Sequence, residues 1–182
     1  TISRIEEDNF VWLDRFTIRN LELLNSNNQD ATTLIDVIDK TISPMGSRLM
    51  KRWMLLPLKD VSKIKKRHSV VNEFVENKDL LRNLTENISK ISDLERLISK
   101  VSIGKISPRE VVYLKKSLDA LVPIKELCLG SKNKNLILLA EQINTCDSVR
   151  EKIEKVSAKT VKKLVKRIFD ADYSILVMEP AA

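Results

Sequence analysis

The sequence predicts an all-α fold: a multi-helix bundle of antiparallel helices joined by short turns, with room for one short strand near each end. Three observations carry this. Only three glycines occur in 182 residues, too few for a β-rich fold full of tight turns. Apolar residues recur at three- and four-residue spacing along most of the chain. Serine, aspartate, proline and glycine punctuate those stripes where helices start and stop. Hydrophobic content of 43% against 31% charged suits an ordered chain with a core of its own. No apolar run approaches the ~20 residues that a membrane-spanning helix needs.

Taken in order, residues 10–13 (FVWL) read as a short strand or extended lead, and Asp14 caps a helix running to Leu24. Residues 25–30 form a polar loop. Leu34, Ile35, Val37, Ile38 and Ile42 mark an apolar helix that closes between Lys40 and Ser43. Ser43 then caps the next helix, with Pro44 at the first position, where a missing N–H costs nothing. Met45, Leu49, Trp53 and Leu56 make its inward stripe; Arg48, Lys51 and Arg52 lie mostly off it, and Pro57 ends it. The corner built by Ser43, Pro44, Met45 and Gly46 is expected to be structural rather than catalytic.

Asp60 caps a further helix whose stripe is Val61, Ile64, His68, Val71 and Val75, with His68 expected as a partly buried packing residue. Leu80, Leu81, Leu84, Ile88 and Ile91 mark another. Ser92 and Glu95 are spaced as a capping box ahead of Leu94, Leu97, Ile98 and Val101, and Gly104 is a natural stop. Ser107 and Glu110 repeat the box around Pro108 and open a long helix with Val111, Leu114, Leu118 and Leu121 inward; Pro123 is expected to kink or end it. Residues 130–135 are a polar turn, residues 136–143 restart a helix, and Asp147 caps the last one.

Chemistry is scarce. Gly46, Gly104 and Gly130 are too far apart for a phosphate-cradling P-loop, and one histidine excludes H-E-x-x-H. Cys128 and Cys146 read as small, reduced core residues of a cytosolic protein; a zinc site needs about four ligands. No catalytic, metal-binding or cofactor-binding residue is expected. The formal charge is +7, and residues 150–167 alone net +6, leaving +1 for the remainder. The basic character is therefore assigned to the C-terminal segment. There Val161, Leu164, Val165 and Ile168 oppose Lys162, Lys163, Lys166 and Arg167, which with Lys159 are the candidate contacts to a DNA backbone. Residues 173–178 are a candidate short strand.

Two long motifs carry a resemblance. The run PMGSRLMKRWMLLPL at 44–58 is similar to the PMGSRLLKRWLxxPL run of the MutS family of DNA mismatch repair proteins. LDRFTIRNLEL at 13–23 resembles that family's LDxxTxRNLEL, in the same order and at the same spacing. DLER at 93–96 and SPRE at 107–110 add two shorter matches. The similarity covers roughly residues 2–155, which implies a core domain there and a divergent basic tail over 156–182. The resemblance further implies the helical core, or lever, that links DNA clamp to ATPase in a cytoplasmic bacterial protein. ATP and Mg would bind elsewhere in that protein, which would be a homodimer. A chain opening at Thr1 inside the matching region implies an excised domain. Arg15 and Arg19, four apart on one helix face, and Asn20 would sit at a domain junction; two solvated arginines is the competing reading.

After about residue 155 the family's glycine-rich lead into the clamp is missing, and a divergent insertion, a shifted frame or a non-native tail each accounts for it. Two functions stay open. One is the mechanical coupling module, with no activity of its own, touching other domains of its parent and duplex DNA only weakly and without specificity. The other is a free-standing nucleic-acid-binding module acting through the basic tail. No membrane contact is expected under either.

Overall fold

A computed structural model describes residues 9–28 and 30–155. The candidate strand at 173–178 and the basic helix expected around 161–168 lie outside the described residues. Among those described there are nine α-helices and no β-sheet. The chain divides into two compact units, Thr1–Asn72 and Glu73–Ala182.

In the first unit the expected strand is one isolated antiparallel bridge, Phe10 to Leu58. Val11 N–H donates to the Pro57 carbonyl at 2.7 Å, and Lys59 N–H to the Asn9 carbonyl at 3.2 Å. Proline has no N–H to return to Val11, so the ladder stops there. Asp14 caps α1 (Arg15–Asn20) as expected, its Oδ1 accepting from Thr17 N at 2.7 Å. The helix ends earlier than its motif suggests. Glu22 turns left-handed at φ 47°, Leu23 N–H reaches back to the Ile18 carbonyl, and Glu22 N–H to that of Arg19. That pair of bonds is a Schellman stop, made here without glycine. It frees the Glu22 and Leu23 carbonyls to accept from Leu34 and Ile35 at the start of α2 (Leu34–Ile38).

Asp39 ties α2 to α3 (Pro44–Leu55). Its carboxylate accepts from Ser47 Oγ at 2.5 Å and from Thr41 Oγ1 and N–H at 2.6 and 3.0 Å. Ser43 Oγ caps α3 by accepting from Gly46 N–H at 3.1 Å. A Cβ on Gly46 would stand 3.0 Å from that hydroxyl, so the close cap is why glycine sits here. The expected inward stripe holds only in part. No α3 residue is buried; of the expected stripe Met45 and Leu56 are half-buried and Leu49 and Trp53 are 43% and 41% exposed, while Ser47, Met50 and Met54 off that stripe are also half-buried. Asp60 caps α4 (Val61–Glu76) through Ser62 N–H, as expected. Its predicted stripe too holds only in part: Val61, His68, Val71 and Val75 are exposed, and Ile64, Arg67, Val70 and Phe74 form the half-buried line. His68 is therefore a surface residue.

The second unit is organised on α7 (Pro108–Leu129), against which α5 (Lys78–Ile88), α6 (Leu94–Ser102), α8 (Lys134–Glu141) and α9 (Asp147–Glu154) all pack. The Ser107–Glu110 capping box forms in both directions. Val111, Leu114, Leu118, Leu121, Ile124 and Cys128 are buried at three- and four-residue spacing. The helix neither ends nor breaks at Pro123, since packing along its length offsets the one bond that proline removes. The α6 cap is Asp93, one residue after the expected Ser92. Ser92 instead donates its N–H to the hydroxyl of fully buried Ser117, at 2.9 Å. Gly104 takes φ 66° just past α6, the left-handed stop its position suggests. Cys146, left-handed at φ 51°, precedes α9, so Asp147 is its first residue rather than its cap.

Candidate functional site

The corner between α2 and α3 is chemically self-contained. Ile35, Asp39, Thr41, Ser43, Ser47 and Lys51 line an open depression. Hydrogen bonds from Ser47 and Thr41, with Lys51 nearby, hold the Asp39 carboxyl down at about 2. The hydroxyls of Thr41 and Ser47 donate to Asp39, and that of Ser43 caps α3. Arg48 lies on the exposed side of α3, and Pro57 closes the link to α4.

Arg15, Arg19 and Asn20 are exposed on α1. Phe16, on the same short helix, is 76% exposed, and Trp12 just before it is 63% exposed. Cation and aromatic therefore alternate on an open surface. The candidate backbone contacts Lys159, Lys162, Lys163, Lys166 and Arg167 lie outside the described residues.

Reading charge over the whole domain missed a second basic stretch. Residues 48–68 hold Arg48, Lys51 and Arg52 on α3, Lys59 in the link, and Lys63, Lys65, Lys66 and Arg67 on α4, against Asp60 alone. That is a net +7 in twenty-one residues, hidden by acids elsewhere; a windowed charge count finds it. The two helices meet through Arg67, whose guanidinium carbon sits 3.6 Å from the centroid of the Trp53 ring. Burial lowers the Arg67 pKa somewhat, but a guanidinium keeps its charge in proteins. Arg52, Lys65 and Lys66 are exposed and Lys63 is half-buried.

Cys128 and Cys146 are free and buried, and burial pushes both thiols up, away from the reactive thiolate. Among the described residues no cluster of three or more His, Cys, Asp or Glu could hold a metal ion. No described helix is long and apolar enough to cross a membrane.

Comparison with known proteins adds a family. The model of MutS domain III matches residues 16–175. The DNA mismatch repair protein MutS of Flavobacterium johnsoniae is 58% identical over 153 residues, covering 84% of this chain and 18% of that protein. Its counterpart in Christiangramia forsetii is 53% identical over 167 residues, 92% of this chain and 19% of that one. That of Cytophaga hutchinsonii is 48% identical over 152 residues, 84% and 18%. The chain thus spans about a fifth of the length of these relatives.

Proposed function

The chain belongs to the MutS domain III family, and from that premise we infer that it serves as the helical core of a DNA mismatch repair protein, carrying motion between a DNA clamp and an ATPase. It performs no chemistry itself. ATP and Mg bind elsewhere in the parent, which works as a homodimer in the bacterial cytoplasm. The observation that carries the reading is α7. It has 22 residues, roughly 33 Å at 1.5 Å per residue, capped in both directions at its start and flanked by four helices. Such a helix transmits displacement along its axis instead of absorbing it.

The open surface of α1 supports the junction role of Arg15, Arg19 and Asn20. Arginine there offers charge-assisted hydrogen bonds to a neighbouring segment of the parent. Coupling is measured in the parent protein carrying Arg15→Ala and Arg19→Ala together. ATP hydrolysis and mismatch binding should each persist, while the effect of mismatched DNA on the ATPase weakens and repair falls. Undiminished coupling and repair would contradict the reading.

A further inference from the structure

We propose that the basic face shared by α3 and α4, with Arg52, Lys63 and Lys66 around the Trp53–Arg67 stack, is a binding surface for the phosphate backbone of duplex DNA. The choice of DNA over other polyanions rests on the mismatch-repair reading above; the surface itself rests on geometry and charge.

Among the described residues, charges of one sign gather here. Lys63 lies three and four residues before Lys66 and Arg67, spacings at which like charges on a helix repel. Among the described residues no ion pair involves Arg52, Lys63, Lys65 or Lys66. The single carboxylate of the stretch, Asp60, is turned onto the backbone N–H groups of Ser62 and Lys63. A bound polyanion would relieve that repulsion.

The stack decides how the cations are presented. With the Arg67 guanidinium lying over the Trp53 ring, the cationic flank of α4 is held beside Arg52, the residue preceding Trp53. Stacking occupies a face of the guanidinium and leaves its in-plane N–H donors for an oxygen acceptor. Lysines on flexible stems complete the surface as point charges. Cations that meet phosphate oxygens carry no sequence information, so a surface used in this way grips any sequence alike.

The test is a fluorescence-anisotropy titration of the complete 182-residue chain with a short labelled duplex, from about 50 to 200 mM salt, where phosphate contacts weaken steeply. Three chains are compared: the original, Lys63→Gln/Lys66→Gln, and Lys159→Gln/Lys162→Gln/Lys163→Gln in the basic tail. Circular dichroism checks that helicity is kept. The α4 double variant should bind on the order of tenfold more weakly at low salt. Its log–log salt slope should fall by about 2, close to one unit for each lost phosphate contact. Matched and mismatched duplexes should be affected equally. An unchanged slope in the α4 variant, with the loss confined to the tail variant, would overturn the proposal. So would no binding by the original chain at low salt, or equal affinity for polyglutamate, which would point to an acidic protein partner. The coupling assay on Arg15 and Arg19 is read in the parent and is independent of this titration, so failure of one reading is distinguishable from failure of the other.

Discussion

The two units use similar helices differently. In the second, seventeen hydrophobic residues among those described are buried, and they line the faces where α5, α6, α8 and α9 meet α7. In the first, Leu23 and Ile35 alone reach that level among the described residues, while Trp12, Phe16, Leu49, Trp53 and Val61 stay open. Apolar periodicity is present in both. Periodicity specifies that a helix has an apolar face; it does not specify that the covering surface belongs to the same chain. The second unit satisfies its stripes internally. The first is held by local hydrogen bonds at its caps and at the Asp39 corner.

Core truncation should separate the units most. Leu114→Ala or Leu118→Ala, at positions 2% and 4% exposed, should cost about 2–5 kcal/mol in chemical denaturation. Trp53→Ala should cost only about 0.5–1.5 kcal/mol, since it loses a half-exposed ring and one cation–π contact. Equal losses would erase the contrast. Next in size is Ser117→Ala, which strands the Ser92 N–H against α7 and should cost about 1–3 kcal/mol, read from the same denaturation curves.

Caps should not distinguish the units at all. Ser43→Ala and Ser107→Ala each remove an oxygen accepting from an N3 amide, and each should cost about 1 kcal/mol. A Ser43 loss several times the other would show that the corner carries more than a cap. The smallest effect is in acid. Asp39 is held at about 2 by Ser47 and Thr41, and Glu110 at about 2 by Lys100 and Ser107. A carboxylate with a depressed folded pKa contributes stability that is present above its unfolded value near 4 and is lost as pH falls toward 2. Asp39→Asn and Glu110→Gln should each flatten part of the acid limb between pH 4 and 2, and a limb unchanged in both variants would argue against these hydrogen bonds.

What was legible in the sequence follows the same division. Around α7 the stripe Val111, Leu114, Leu118, Leu121, the Ser107–Glu110 box and the Gly104 stop all read correctly, because local propensity and packing agree there. Ser92 misled because two adjacent residues can cap, and the choice of Asp93 depends on Ser117, twenty-five residues away. On α3 and α4 the stripes through Trp53 and His68 hold only in part: Met45, Leu56 and Ile64 are half-buried, and the other members are exposed. Apolar and basic residues interleave there, and without an internal partner no packing selects one face over the other. The early end of α1 was hidden too, since a left-handed glutamate leaves no glycine to flag it. The basic surface escaped notice because charge was summed over a domain rather than along it.

The central claim is that the α7 unit buries its apolar stripes within itself while residues 9–72 leave much of theirs open. Amide hydrogen exchange, measured on this chain alone and within the parent protein, addresses it directly. In the isolated chain the amides of α7 should be the slowest, and those of α3 and α4 up to Asn72 should exchange at least about tenfold faster. In the parent, α3 should gain strong protection while α7 changes little. Equal protection of α3 and α7 in the isolated chain, with no gain in the parent, would contradict the account.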